Sequence, residues 1–332
     1  MKRFTLWILA VFSLIFTPGC FSAFFNNTYN VPNDFFFIQD ALNFAFDGDT
    51  VTVNCGTYSP SFTGELFPLF VPDGVNLKGA SANCVTLDAQ GTGPVISVNN
   101  YNGGVISGFT LINGLATNGG GMVLANVSDL VVQDNIFQGN LSSNLGSALW
   151  MINGGPDMIF QNNLFEGNTR SAFGVGTPAS VQLSNSQTSF FNNVIAFGDG
   201  NGLELDNGST ALIENNIFYK NGSGTLGFGF SDTTPSPSTT VAFNLFFGNV
   251  QNDISVGGNS VTAAQANALT GTDQFSSNFT ADPLFVNPVV GGDFHLNPGS
   301  PAAGAGDPNT QFNNINGSRN DLGVFGGPFP LF

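Results

Sequence analysis

Charge is what this sequence has least of. Only 8 % of its 332 residues are Asp, Glu, Lys or Arg, and only Lys2, Arg3, Lys78, Arg170, Lys220 and Arg319 are basic. The net charge is −16. That balance excludes nucleic acid as a partner, because its affinity rests on Lys and Arg contacts to phosphate. An anionic polysaccharide would also be repelled unless a cation bridged it. Histidine is nearly absent: His295 is the single one, and there are three Cys, so no zinc-finger spacing exists. The scarcity of Lys and Glu works against long helices. No apolar run reaches the length of a membrane-spanning helix; the longest, Phe4–Phe16, has 13 residues. Trp and Tyr, the usual sugar-stacking residues, number two and four.

What is abundant is Gly, at 43 residues, and Phe, at 36, with Asn and Val throughout. This composition suits short strands and tight turns. The 42 % hydrophobic content allows a real core and argues against disorder. The Phe excess fits a stacked interior better than a binding surface.

The first residues read as an export leader, 1–19: Lys2 and Arg3, then the apolar run Phe4–Phe16. Thr17-Pro18-Gly19-Cys20 follows, and Gly-Cys at this place is similar to a lipoprotein cleavage box. Two outcomes stand: Cys20 carries a lipid, or the chain is simply secreted. Either places it in the bacterial cell envelope or outside the cell, touching membrane only through an N-terminal lipid. Cleavage leaves four cations against 22 acids, a net charge of −18. Cys55 and Cys84 lie 29 residues apart, about one coil of a repeat stack. An oxidising compartment makes them a disulfide, or they stay as buried thiols in neighbouring strands.

One short phrase returns five times. It reads QDNIFQGN at Gln133–Asn140, QNNLFEGN at Gln161–Asn168, FNNVIAFG at Phe191–Gly198, ENNIFYKN at Glu214–Asn221 and AFNLFFGN at Ala242–Asn249. Its pivots Asn135, Asn163, Asn193, Asn216 and Asn244 are 28, 30, 23 and 28 residues apart. A fixed phrase at an irregular period in the twenties denotes a solenoid, with loop insertions lengthening single coils. The expected fold is all-β: a single right-handed parallel β-helix over 35–261, after a tether at 20–34. We expect the pivotal Asn to sit in left-handed bends and to hydrogen-bond up the stack. The apolar residue after each Asn should then point inward. Phe36–Ala45 has helical spacing and would cap the open end. Ser231–Thr240, with Pro235 and Pro237, reads as an exposed loop.

Several phrases resemble a known superfamily. IQDALNFAFDGDTVTVNCGTYSP, FVPDGVNLKGAS and VTLDAQGTGPVISV resemble the opening segment of pectate-lyase-like right-handed β-helix proteins. The closing segment, 262–332, is similar to bacterial β-helix proteins with a choice-of-anchor Q domain. The phrases are Asp282-Pro283-Leu284-Phe285-Val286, Asp293-Phe294-His295-Leu296, Pro298-Gly299-Ser300-Pro301-Ala302 and Asp321-Leu322-Gly323. The resemblance implies a β-helix with a capping helix at one end and an irregular cap at the other. It also implies a structural role for Arg319.

Enzymes of that superfamily are polysaccharide lyases and hydrolases. A lyase acting on uronates needs an Arg or Lys base and a Ca²⁺ held by carboxylates. Only Arg170 and Lys220 lie in the body of the repeat, expected on equivalent loops. The best such set is Arg170 as base, with Asp199, Glu204 and Asp206 around Ca²⁺. The competing reading makes these four solvated loop charges. The adjacent Asp pairs and Gly-His-Gly phrase of polygalacturonases are absent. Asp47-Gly48-Asp49 lacks the Glu that an EF-hand loop requires. His295 reads as a packed residue of the closing segment. The shortage of bases therefore favours a non-catalytic, monomeric protein, needing no cofactor, that presents an acidic polar face to glycans or surfaces. The alternative is the Ca²⁺-dependent lyase.

Overall fold

A computed structural model describes residues 26–170, 178–223, 226–271 and 273–331. The expected leader and Cys20 lie outside them. The chain winds as a parallel β-helix. Each full coil lays two successive strands into a large sheet of 17 strands and a third into a sheet of nine. The large sheet has two columns, joined because Ile96–Ser107 and Met122–Gln133 run through both. Column one includes Leu149–Ile152, Ala179–Ser184, Asn201–Asp206, Phe228–Asp232 and Asn252–Val256. Column two includes Met158–Gln161, Gln187–Phe191, Thr210–Glu214 and Thr240–Ala242.

The stack is longer than its expected bounds. Thr28–Val31, inside the expected tether, pairs in parallel with Thr50–Val53 and is the first strand. At the far end Gln274–Ser276 continues column two beyond residue 261. Cys55 and Cys84 form a disulfide between adjacent coils, with Cα atoms 4.8 Å apart.

The open N-terminal end is covered by helix α1, Ile38–Phe44. Its buried Ile38, Ala41 and Leu42 close the core. No residue of its own N-terminus caps it. Instead the carboxylate of Glu65 accepts the backbone N–H groups of Ile38 and Gln39, at 2.7 and 3.2 Å. The other end is covered by α2, Ala263–Ala266, with a capping box between Thr262 and Gln265.

The pivotal Asn residues form a continuous ladder. Each donates from Nδ2 to the Oδ1 above it: Asn135 to Asn163 at 3.2 Å, Asn163 to Asn193 at 3.1 Å, and Asn193 to Asn216, Asn216 to Asn244 and Asn244 to Asn278 at 3.0 Å. The left-handed residue of each bend is the one before the ladder Asn: Asp134, Asn162, Asn192, Asn215, Phe243 and Ser277. This corrects the expectation that the pivots themselves adopt that conformation. A second ladder runs along the next bend through Asn140–Asn168 and Asn221–Asn249, broken at Gly198.

The inward residue is also one position later than expected. Phe137, Phe165, Ile195, Phe218 and Phe246 fill the core, and Phe137–Phe165 and Phe218–Phe246 stack at 4.7 and 4.8 Å. Leu164, Val194, Ile217 and Leu245, directly after the Asn, point outward into a second cluster. That cluster exists because the closing segment folds back along the nine-strand sheet and buries its outer face with Phe285, Phe294, Leu322, Val324 and Leu331. A strand covered on both faces is apolar at every position, so alternation gives no direction.

Three coils hold the closing segment through the left-handed Asn of their bends. Asn162 donates to the carbonyls of Val324 and Gly326 at 3.0 and 2.9 Å. Asn192 and Asn320 bond reciprocally at 2.9 Å. Asn215 Oδ1 accepts the Asp307 N–H at 2.8 Å. Arg319 donates from Nε to the Gly306 carbonyl at 2.7 Å, a structural bond within the segment. His295 is more exposed than expected: it stacks on Phe325 at 3.6 Å and pairs through Nδ1 with Asp293 at 2.7 Å.

Candidate functional site

Strand Asn201–Asp206 reads Asn-Gly-Leu-Glu-Leu-Asp. Leu203 and Leu205 enter the core, so the strand's alternation sends Glu204 and Asp206 to the opposite face. Parallel register places Trp150, Gln182, Glu204, Ser231 and Ser255 in one line across five coils. Asp206 stands beside Ser184 in the next line.

Gln182 organises this line. Its Nε2 donates to Glu204 at 3.2 Å and to Asp206 at 2.9 Å. One nitrogen touching both carboxylates keeps their oxygens within about 6 Å of each other. Asn201 Nδ2 donates to the other oxygen of Glu204 at 2.6 Å. The Oε1 of Gln182 and the Nε1 of Trp150 are buried and have no hydrogen-bond partner. Beside Glu204 lies a groove of about 240 Å³, whose walls include Pro178, Asn201, Glu204, Leu226, Ser231 and Gln251; Gln182, Asp206 and Trp150 stand behind this wall rather than in it. Burial pushes the Glu204 carboxyl up to about 7, and the neighbouring Asp206 charge adds to the rise against the Asn201 hydrogen bond.

The four residues singled out in the sequence fall into two pairs. Glu204 and Asp206 share Gln182. Arg170 and Asp199 meet at the bend before column one, where the Arg170 N–H donates to Asp199 at 2.9 Å. Burial raises the Asp199 carboxyl, and the Arg170 bond and charge oppose that rise. Among the described residues no group of three or more His, Cys, Asp or Glu is arranged to hold a metal ion. Lys220 does not share a loop position with Arg170. Lys220 follows a strand of the nine-strand sheet and lies 4.9 Å over the Tyr219 ring, whereas Arg170 pairs with Ser142 in a separate three-strand sheet.

Other buried carboxyls do different work. Glu166 accepts the Gly291 N–H of the closing segment at 2.9 Å, and burial holds its carboxyl near 7. Asp232 was expected on an exposed loop, but it ends strand Phe228–Asp232 and is buried. It hydrogen-bonds Asp273, which is also buried; burial raises these carboxyls to about 6 and about 7. The sequence reading passed over Gln182 and Asn201. Only the coil register could have found them, since it alone sets Gln182 opposite Glu204.

The chain resembles several known structures. A pectate lyase, Pel9A, matches with a TM-score of 0.50 at 16 % identity, over 90 % of this chain and 96 % of that one. An alginate lyase from Paenibacillus sp. str. FPU-7 matches with a TM-score of 0.33 at 14 % identity, over 76 % of this chain and 95 % of that one. No curated protein sequence matches significantly. The Pel9A likeness shows the fold alone. The model of the right handed beta helix region matches residues 73–269, more than half of the sequence. The chain belongs to the right-handed β-helix family.

Proposed function

We propose that this is an exported β-helix protein, held in the cell envelope by a lipid on Cys20, that grips a glycan in the groove lined by Asn201, Glu204, Ser231 and Gln251. The observation that carries this reading is the Gln182 side chain. It is 2 % exposed, its Nε2 holds two carboxylates, and its Oε1 is unsatisfied. Gln182 lies behind the groove wall and holds Glu204, which with Asn201 lines the groove and presents polar groups that sugar hydroxyls can hydrogen-bond. No Lys or Arg is among the groove's lining residues, so a neutral glycan fits and a polyuronate is repelled. The closing phrases from Asp282 to Gly323 support placement among choice-of-anchor Q proteins. Binding measured on a panel of neutral and uronate oligosaccharides tests this. Neutral chains should bind, and Gln182→Ala should weaken them at least tenfold; equal binding by the variant refutes the site.

A second reading rests on the carboxylate pair. Glu204 and Asp206 have oxygens no more than about 6 Å apart, a bound that takes in the separation of retaining glycosidases, and burial raises the Glu204 carboxyl to about 7. In that reading Glu204 protonates the leaving oxygen while Asp206 attacks the anomeric carbon. Glu204 then takes a proton from the water that releases the sugar. Reducing ends that form with the wild type and vanish in Glu204→Gln would establish it. The lyase alternative keeps Arg170 as base and Ca²⁺ on Asp199, Glu204 and Asp206. Chelator-sensitive unsaturated ends would select that reading instead.

A further inference from the structure

Large exposed apolar side chains collect at one end of the stack. Phe36, Phe44, Phe46, Phe62, Leu66 and Phe70 are 54 to 79 % exposed, and all belong to α1 or the segments beside it. Physical links join them. Gln39 of α1 bonds both backbone groups of Phe70, at 2.8 and 3.2 Å. Glu65, next to Leu66, caps the same helix. Phe36 packs edge-on to Phe37 at 4.9 Å, and Phe44 packs on Tyr29 and Phe35 at 5.3 Å each. The core beneath is already closed by Ile38, Ala41 and Leu42, so these rings are not needed to seal it. Exposed apolar patches of this kind mark contact surfaces.

The chain identifies what the patch meets. The described residues begin at Asn26, and the Asn27 N–H bonds Asp49 at 2.8 Å, at this same end. Cys20 lies six residues before Asn26. A chain that short reaches only about 20 Å when fully extended. A lipid on Cys20 therefore holds this end, and no other, against the bilayer. The patch carries no Lys or Arg, and Asp34, Asp40, Asp47 and Asp49 surround it, so anionic headgroups are disfavoured and a zwitterionic surface suits it.

We infer that the N-terminal end of the β-helix is a bilayer-contact surface, with Phe36, Phe62, Leu66 and Phe70 entering the interfacial zone of a zwitterionic membrane. It rests on the Cys20 reading only for the direction of approach, and not on the glycan reading. Shallow insertion of several aromatic rings adds a second attachment to the lipid chains. It also fixes an angle: the solenoid stands upright, with the Glu204 groove about 30 Å above the membrane at ~4.8 Å per coil.

The test uses the full chain carrying Cys20→Ser, exported in a bacterial host, purified, and floated with phosphatidylcholine vesicles. The comparison is the same chain with Phe36→Ser, Phe62→Ser, Leu66→Ser and Phe70→Ser. These sites are exposed, and an unchanged melting temperature verifies folding. The parent should float with the vesicles, and the substituted chain should bind at least tenfold less. A parent that stays at the bottom overturns the inference, as do two chains that float equally. A parent that forms a dimer without binding vesicles, and loses it on substitution, assigns the patch to a second copy instead.

Discussion

Asn192 and Asn320 exchange two amide hydrogen bonds of 2.9 Å across 128 residues of sequence. Both are fully or nearly fully buried. The bond joins a bend of the stack to the segment that folds back over it. Asn192 Nδ2 also reaches the carbonyls of Asp321 and Gly323, at 2.8 and 3.2 Å. With the Asn162 and Asn215 bonds, this contact holds the segment that covers the apolar outer face of the nine-strand sheet.

Replacing Asn192 by Ala leaves the buried Asn320 amide without its partner and removes the donor to the Asp321 carbonyl, while the Gly323 carbonyl keeps the Gly326 N–H at 3.0 Å. The loss should be about 2–3 kcal/mol. A double-mutant cycle with Asn320→Ala should return a coupling of about 1 kcal/mol or more. The same variants should bind a hydrophobic dye and be cut within the closing segment, because Leu164, Val194, Ile217 and Leu245 become exposed. Strict additivity and unchanged proteolysis would contradict this.

Asn193 tests the inner ladder. Its amide donates to Phe160 O at 2.9 Å and Asn216 Oδ1 at 3.0 Å, and accepts from Asn163. Asn193→Ala in mid-stack should cost about 3 kcal/mol, read as a shift in denaturant midpoint. Asn278→Ala, at the ladder's last rung, should cost less.

The pH dependence has a definite sign. Burial raises Asp134, Glu166, Glu204, Glu214 and Asp273 to about 7 and Asp232 to about 6. Raised values mean that the folded chain binds protons more tightly than the unfolded one. This contribution is fully present below the unfolded carboxylate range near 4 and is lost as pH rises through 6 to 7. The melting temperature should be several degrees higher at pH 5 than at pH 8. A protein most stable at pH 8 would refute the burial of these groups.

Reduction of the Cys55–Cys84 disulfide frees a separation of 29 residues. Loop-closure entropy puts the loss at about 3–4 kcal/mol. The loss should fall on the first coils, so hydrogen exchange should quicken around Val51–Leu87 and leave Phe190–Phe246 unchanged.

The coil and the inner ladder were legible because the phrase around Asn135, Asn163, Asn193, Asn216 and Asn244 repeats a local bend. The closing segment's path was not, since it depends on contacts 92 to 164 residues apart. One signal was present: the doubled Asn at Asn162-Asn163, Asn192-Asn193 and Asn215-Asn216 marks the three coils that hold it. Direction in the nine-strand sheet was hidden because Leu164 and Phe165 are both apolar and both buried. Asp232 looked like the start of an exposed loop, because Pro235 and Pro237 dominate the composition after it. In the site, Glu204 and Asp206 were named, but only together with Arg170 and Asp199 as one set. Gln182 was missed because its meaning comes only from its place one coil away.

In the proposed exported form Trp7 leaves with the leader, and Trp150 is the single tryptophan. It stands in register with Gln182, which bonds the groove residue Glu204, so its emission follows changes passed through that line. The measurement to make is a titration of the mature protein with neutral oligosaccharides, followed by Trp150 emission, with Gln182→Ala beside it. The account requires a saturable change that the variant loses at least tenfold in affinity. No change with any neutral glycan, or the same curve from the variant, would contradict the claim that this face binds sugar.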